Sequence, residues 1–131
     1  MEISNRTRRI LDLARRVAQN SEHDSFKHGA VLVKGGSVLN VAHNKDQYNR
    51  FAGRFRNRGC GHATHHAELG AILGIDKSKT QGATIYVVRV NKEGDFRNSK
   101  PCDMCHEVLK FVGIKKAIYT TGETTVGKTK L

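Results

Sequence analysis

Two short motifs constrain the fold of this chain more than any other feature. His66-Ala67-Glu68 lies near the middle of the sequence, and Pro101-Cys102-Asp103-Met104-Cys105 follows later, after a run of β-branched residues. Together the motifs supply one imidazole, two thiolates and one carboxylate. A catalytic zinc ion needs three protein ligands, an open position for water and a nearby proton acceptor. The motifs therefore predict a metal centre that folding assembles from two distant parts of the chain.

We predict that each motif lies at the start of a helix. His66 then lies in the first turn of one helix, and Cys102 and Cys105 lie in the first turn of another. Residues three apart share a helix face, so both sulfur atoms can reach one metal ion. The positive ends of both helix dipoles point at such a site and favour thiolates. Glu68 is predicted to reach the activated water, where it accepts and returns protons.

Neither motif is specific by itself. A lone Cys-x-x-Cys sequence is also typical of a structural zinc site or a redox pair. A structural site needs a fourth ligand, for which Cys60, His62 and His65 are candidates. We interpret both motifs together, at two predicted helix starts with a strand between them, as a catalytic zinc site.

The remaining pattern predicts alternating helices and strands. Lys34-Gly35-Gly36-Ser37 is typical of a hairpin turn, because glycine adopts positive φ without steric cost. A first helix capped by Ser4 or Asn5 is expected to bury a stripe at helical spacing, formed by Ile10, Leu13, Ala14 and Val17.

The full set of predicted elements defines the fold class. We predict helices over 5–19, 65–74 and 102–112, strands over 29–33, 38–42, 84–90 and 114–120, loops over 44–64 and 91–100, and a short hairpin or a frayed end over 122–131. This order predicts an α/β sandwich around a mixed sheet. The length of 131 residues predicts one domain, 1–131.

The composition limits the cellular compartment and the kinds of partner that we expect for the chain. Three cysteines, with Cys60 left over from the motif, do not make a disulfide framework, so we expect a reducing compartment, the cytoplasm. No apolar run approaches the roughly 20 residues of a membrane span. The formal net charge of +11 favours polyanionic partners, with simple solubility as the other interpretation.

The motifs and their order resemble the cytidine deaminase-like superfamily, which combines His-x-Glu with Pro-Cys-x-x-Cys. The resemblance implies a three-layer α/β/α sandwich with a mixed five-stranded sheet. It also implies one catalytic zinc ion held by His66, Cys102 and Cys105, with Glu68 as the proton shuttle. It covers residues 26–120 through the segments GAVLV (29–33), AHN (42–44), HAELGAIL (66–73), ATIYV (83–87), PCDMC (101–105) and GIKKAIY (113–119).

The same resemblance implies hydrolytic deamination at C4 of cytosine or C6 of adenine. The Ala67 backbone N–H would bond the base, and Asn44 would touch the sugar. Gly29 and Ala30 would lie against the base pocket, with His28 at its rim. The alternative interpretations make Asn44 a turn residue after the second strand and His28 an ordinary exposed histidine.

The substrate is less constrained than the chemistry. Relatives that act on tRNA adenosine usually carry Glu before the Pro-Cys pair, and Lys100 here favours cytosine instead. A predicted loop interleaves Arg50, Arg54 and Arg56 with Phe55. This pattern suits single-stranded DNA or RNA, because cations meet phosphates and aromatic rings stack on bases. Alternatively, the aromatic residues anchor the loop and an arginine pair binds the phosphate of a free nucleotide.

Three hypotheses about function remain open. The first is deamination of cytosine in single-stranded nucleic acid, and the second is deamination of free cytidine, deoxycytidine or dCMP. The third is a non-catalytic nucleic-acid-binding module, against which Glu68 argues. The resemblance also implies a homo-oligomer that completes the pocket, and a second zinc ion at Cys60, His62 and His65 as an alternative to a flexible turn. The short stretch after Thr120 indicates either the branch of the superfamily that ends in an antiparallel hairpin or a shortened form of the chain.

Overall fold

The computed structural model describes residues 4–21, 27–48, 64–65, 67–72, 74–99, 103–122 and 125–131. None of the helices in these ranges is long and apolar enough to cross a membrane. The helices are α1 (Asn5–Ala18), α2 (Ala67–Ile72), α3 (Lys77–Thr80) and α4 (Asp103–Phe111). The strands are β1 (Lys27–Lys34), β2 (Ser37–His43), β3 (Lys45–Tyr48), β4 (Thr64–His65), β5 (Thr84–Val90), β6 (Phe96–Arg97), β7 (Lys116–Thr120) and β8 (Val126–Lys130).

One mixed sheet organises the described chain. Its strand order is β2-β1-β5-β7-β8, with β6 paired to the end of β5. β5 and β7 are parallel, and the other neighbours are antiparallel. The five-strand path confirms the predicted mixed sheet, to which the two-residue β6 adds a sixth strand. The β7–β8 pair confirms the hairpin predicted after Thr120.

Two predicted loops contain strands. β3 and β4 pair antiparallel as a separate two-stranded sheet within the range 44–65. β6 lies inside the range 91–100, and its Phe96 ring stacks on the Arg15 guanidinium of α1, with 4.9 Å between the Arg15 Cζ atom and the ring centroid. The loop predictions are wrong at these positions, because short polar strands form by pairing with a neighbour and carry no apolar alternation to reveal them.

Side chains of the central strands alternate between two apolar clusters, which gives the three layers. α1 covers one face, and α2 and α4 cover the other, so that β5 is buried on both faces, as its unbroken apolar run predicts. The α1 cluster comprises Ile10, Leu11, Ala14, Ala18, Val31, Val33, Tyr86, Val88, Val90 and Ile118. The α2–α4 cluster comprises Ala30, Leu32, Ala67, Ala71, Ile72, Ala83, Ile85, Val87, Cys105, Val108, Leu109, Ile114, Ala117 and Tyr119.

α1 approaches β1 closely because small residues meet at their contact. Ala14 and Ala18 are fully buried. A Cβ atom added at Gly29 would overlap the Ala14 carbonyl oxygen and lie 2.8 Å from the Ala18 nitrogen. The predicted stripe is confirmed at Ile10 and Ala14, and Leu13 is half-buried and packs against the same cluster. Val17 is only half-buried, and the prediction left out Leu11 and Ala18, which are buried.

Local signals place the ends of the elements as predicted. The Ser4 hydroxyl accepts a hydrogen bond from the Thr7 N–H (3.1 Å) and begins α1. Gly35 and Gly36 have φ values of 60° and 87°. A two-residue hairpin turn of this kind requires positive φ at both central positions, so the glycine pair closes the β1–β2 hairpin.

Candidate metal centre

The two helices that follow the predicted zinc motifs pack on the same face of the sheet. α2 contacts β1, β2, β5 and α4. Ala67 at the start of α2 and Cys105 in the first turn of α4 are fully buried in one apolar cluster, together with Ala30 of β1. The fold therefore gathers three predicted site positions from distant parts of the sequence. Gly29, next to Ala30, meets α1 on the opposite face.

Two of the predicted zinc ligands lie outside the described residues, and each directly adjoins a described helix. His66 precedes Ala67, and Cys102 precedes Asp103, the first residue of α4. Glu68 is the second residue of α2. Among the residues that the structure describes, no group of three His, Cys, Asp or Glu side chains could hold a metal ion. This is the expected outcome when His66 and Cys102 are not among them.

The described part of the centre fits a zinc ion in its chemistry. Cys105 supplies a thiol sulfur that is 0% exposed, and thiolate is a preferred zinc ligand. Its position in the first turn of α4 places it near the positive end of the helix dipole, which favours the thiolate.

Hydrogen bonds join Asn44 to His28 at the end of the β1–β2 hairpin. The Asn44 Oδ1 atom accepts from the His28 backbone N–H (3.0 Å), and the Asn44 N–H donates to the His28 carbonyl oxygen (3.3 Å). The Ser21 hydroxyl donates to the Asn44 carbonyl oxygen (3.3 Å). These bonds give Asn44 a structural role at the end of the sheet. His28 is half-buried, and its parity in β1 places it on the same face as Ala30.

Asn40 holds α2 on the sheet, a role that the sequence analysis missed. Its side-chain Nδ2 donates to the carbonyl oxygens of Gly70 (3.4 Å) and Ala71 (3.1 Å). A helix of six residues is too short to be stable alone in water, so packing and these bonds must hold it. Asparagine is uncommon inside strands, and its place in the middle of β2 is the signal that could have identified it.

A second missed feature is a buried pair formed by Ser99 and Thr120, which we call the Ser99–Thr120 pair. The Ser99 hydroxyl donates to the Val87 carbonyl oxygen (2.8 Å) and accepts from the Thr120 N–H (2.9 Å). The Thr120 hydroxyl donates to the Arg97 carbonyl oxygen (2.6 Å), and the Ser99 N–H donates to the Thr120 carbonyl oxygen (2.7 Å). The pair therefore ties the chain just before Lys100 to β5 and β7.

The predicted contacts to nucleic acid lie outside the described residues. This holds for Arg50, Arg54, Phe55 and Arg56, and also for Cys60 and His62 among the candidate ligands of a second zinc ion. His65 lies in β4, where it pairs with Lys45. The roles of all these residues stay predictions.

A three-layer sandwich that carries His-x-Glu and Cys-x-x-Cys at the starts of two helices on one face defines the class of zinc-dependent deaminase domains. The chain belongs to the family described as the cytidine and deoxycytidylate deaminase zinc-binding region, whose model matches residues 4–121. Membership in this family confirms the resemblance predicted from the motifs and implies one catalytic zinc ion as the cofactor. No curated protein matches the sequence significantly.

Solved structures show the same fold. The apo dCMP deaminase of cyanophage S-TIM5 matches with a TM-score of 0.60 and 21% identity, over 92% of this chain and 86% of that one. RibD of Acinetobacter baumannii matches with a TM-score of 0.52 and 19% identity, over 88% of this chain. This chain spans only 27% of the RibD chain. At such low identities the likeness establishes the fold alone.

Proposed function

We propose that this chain is a hydrolytic deaminase that converts cytosine to uracil in single-stranded DNA or RNA. His66, Cys102 and Cys105 are its proposed zinc ligands, and Glu68 is its proposed catalytic residue. The observation that carries the proposal is the packing of α2 and α4 on one face of the sheet, with Ala67 and Cys105 buried in the same cluster. The family to which the chain belongs supports the same chemistry.

Each residue has a defined task in this proposal. The zinc ion, when bound, supplies a Lewis acid that makes water nucleophilic near neutral pH. Glu68 would take a proton from the attacking water and deliver it to the ring nitrogen of the base. It would then take the second proton from the added hydroxyl group and pass it to the leaving amine, while that oxygen becomes the new carbonyl oxygen. Ala67 is the first residue of α2, so its N–H has no acceptor within the helix and can bond the base. Ala30 offers a small apolar surface beside it.

Charge supports a polymeric substrate. The net charge of +11 far exceeds what one nucleotide phosphate requires, whereas a strand presents a phosphate at every nucleotide. α1 carries a set of exposed arginines, with no acidic residue in its first turn. They are Arg6, Arg8, Arg9 and Arg16.

A second candidate is deamination of free cytidine, deoxycytidine or dCMP. The family description names cytidine and deoxycytidylate deaminases, and the S-TIM5 structure is a dCMP deaminase. Adenosine in tRNA has less support, since Lys100 stands where such relatives usually carry Glu. A non-catalytic module has least support, because a binder has no use for Glu68 beside a zinc site.

The decisive experiment is a product assay over a panel of substrates with the zinc-loaded protein. The panel contains single-stranded DNA and RNA with one cytosine, the nucleosides cytidine and deoxycytidine, dCMP, and an RNA with a single adenosine. We expect uracil in the oligonucleotides at low salt, with a rate that falls as salt rises because phosphate contacts weaken. Turnover of nucleosides or dCMP without turnover of oligonucleotides would establish the second candidate instead.

Two variants separate catalysis from binding. Glu68→Gln should retain zinc and lose at least about 100-fold in turnover on every substrate, because a positioned acid–base group contributes that much. Replacing Arg54 and Arg56 together with alanine should weaken turnover of oligonucleotides more than turnover of nucleosides. Equal losses on both substrate classes would indicate a folding defect and contradict the assigned role of the arginines.

The setting follows from the same proposal. We place the enzyme in the cytoplasm, because thiolate ligands require a reducing compartment. We also propose that the chain folds as one domain over 1–131 and that a homo-oligomer completes the pocket. Sedimentation of the zinc-loaded protein tests the oligomer, and a monomer at assay concentration with full activity would contradict it.

A further inference from the structure

A cavity of about 420 Å³ lies at the end of the sheet opposite the zinc motifs. It is bounded by the N-terminus of α1, the β1–β2 turn and the first residues of β5 and β7. β5 begins at Thr84 beside this cavity, and the chain reaches the cysteine motif only after Val90 at the far end of the strand. Because seven strand residues span about 20 Å, the cavity is separate from the candidate metal centre.

Four cationic side chains line this cavity, which we call the cationic cavity. They are Arg6, Lys34, Lys115 and Lys116, and no acidic residue is among the described lining. The Lys34 Nζ atom donates to the Ser78 carbonyl oxygen (3.1 Å). In the described chain, no hydrogen bond or ion pair engages the side chains of the other three. Four cations without a carboxylate repel one another, and a bound anion relieves that repulsion.

Two hydroxyl groups on β5 favour the same kind of ligand. Thr84 and Tyr86 line the cationic cavity, and each residue is 8% exposed. Over the ranges that the structure describes, neither side chain makes a hydrogen bond. Neither hydroxyl oxygen is among the buried unpaired side-chain atoms, so both oxygens are accessible to solvent. Both groups can therefore donate to an oxyanion in the cavity.

Sheet geometry explains why these groups share one surface. Thr84 pairs with Lys116 on β7 and with Val33 on β1. Thr84 has the same strand parity as Tyr86, which packs on the α1 side. The 14-residue helix α1 begins at the edge of the cavity, where Ser4 and Thr7 line it. The N-terminus of such a helix favours anions through its dipole and its unpaired N–H groups.

We propose that the cationic cavity is a phosphate-binding site. Its ligand is a phosphate group, supplied either by a nucleic-acid strand or by a free nucleotide or polyphosphate. Lysine and arginine side chains neutralise the phosphate charge, and the two hydroxyls donate to its oxygen atoms. The proposal goes beyond the deaminase activity and does not depend on it, because none of these residues belongs to the metal centre.

The first test measures binding of pyrophosphate to the zinc-loaded full chain by calorimetry at low salt. Lys115→Ala combined with Lys116→Ala should weaken binding about tenfold or more, since charge-assisted bonds are lost. Tyr86→Phe should weaken it about threefold, because it removes one hydroxyl donor and keeps the ring in the core. The matched control combines Lys92→Ala with Lys110→Ala, which removes the same charge from exposed positions and should leave the affinity nearly unchanged.

A second probe identifies the source of the phosphate. The same variants are titrated with an oligothymidylate of about 12 nucleotides, which carries strand phosphates and no base to deaminate. If the variant that lacks Lys115 and Lys116 binds the oligonucleotide more weakly and the control pair does not, the site is assigned to a strand. Weaker binding of pyrophosphate only assigns it to a free phosphate ligand. The proposal would be overturned if the wild type showed no saturable binding of pyrophosphate, or if the control pair lost as much affinity as the lysine-pair variant. If the lysine-pair variant unfolds, Tyr86→Phe supplies the test instead.

Discussion

The two ends of the central sheet use hydroxyl groups in opposite ways. Near the cysteine motif, the hydroxyls of Ser99 and Thr120 are buried and hydrogen-bonded within the chain. At the opposite end, Thr84 and Tyr86 line a cavity, and within the described chain their solvent-accessible hydroxyls make no hydrogen bond. The first arrangement is complete without a ligand, whereas the second has donors that can bind one. Hydroxyl groups thus distinguish a structural element from a candidate binding site on the same strands.

The largest expected effect concerns the metal at the first end. Cys105→Ala should abolish stoichiometric zinc and reduce turnover by more than about 100-fold, because the metal loses one of three protein ligands. Elemental analysis and the product assay measure the two losses. Cys60→Ala serves as the control and should keep zinc at one equivalent. Full zinc occupancy in Cys105→Ala would remove this cysteine from the ligand set.

The next largest effect tests the structural pair. Thr120→Val keeps the shape of the side chain and leaves the Arg97 carbonyl oxygen without its 2.6 Å donor. We expect it to lower the free energy of unfolding by about 1–3 kcal/mol, the cost of an unsatisfied buried group. Denaturant titration of the zinc-loaded protein measures this change. An unchanged denaturant midpoint would contradict a structural role for the Thr120 hydroxyl, and with it the contrast between the two ends of the sheet.

A smaller effect concerns ligand binding at the second end. Phosphate or pyrophosphate at ten times its dissociation constant should stabilise the wild type by about 1.4 kcal/mol, because the ligand binds only the folded chain. Thermal unfolding with and without the ligand measures the shift. The ligand-induced shift in stability should be smaller in the variant that lacks Lys115 and Lys116. A shift of equal size in that variant would show that the ligand does not bind in the cationic cavity.

The smallest effect gives the most direct comparison between the two ends of the sheet. Thr84→Val makes the same chemical change as Thr120→Val, at a hydroxyl that has no partner in the described chain. Without phosphate, the free energy of unfolding should change by less than about 0.5 kcal/mol, because a solvent-accessible hydroxyl without a hydrogen bond is removed. Denaturant titration in phosphate-free buffer measures it. A loss as large as that of Thr120→Val would show that Thr84 is structural.

Local sequence signals predicted most of the fold. The Ser4 cap, the Gly35–Gly36 turn and the apolar run of β5 each act through nearby residues, and each prediction was confirmed. The strands β3, β4 and β6 escaped prediction, because polar strands of two to four residues are held by their partners and carry no periodic pattern. The shift of the α1 stripe toward Ala18 arises from its contact with Gly29, which spacing within the helix cannot reveal.

The candidate metal centre could also be predicted only in part from the sequence. The motif order alone predicted a zinc-dependent deaminase, and the family match confirmed the class. The packing of Ala30, Ala67 and Cys105 in one cluster became visible only in the folded chain. The reach of His66 and Cys102 to a common metal ion, and of Glu68 to the activated water, stays a prediction. Asn40 and the Ser99–Thr120 pair act through carbonyl groups far away in sequence. The sequence can mark Asn40 as an unusual strand residue, but no local pattern indicates the partners of Asn40 or of the pair.

The sequence by itself predicted the deaminase class of this protein and the order of its longer helices and strands, since ligand types, caps, turns and apolar runs act over a few residues. Only the tertiary structure decided which polar groups are satisfied. The parallel pairing of β5 with β7 places Thr84 beside Lys116, and α1 closes over Tyr86 from the other end of the chain. Whether a buried hydroxyl finds a partner depends on such long-range contacts, because the partner belongs to another element.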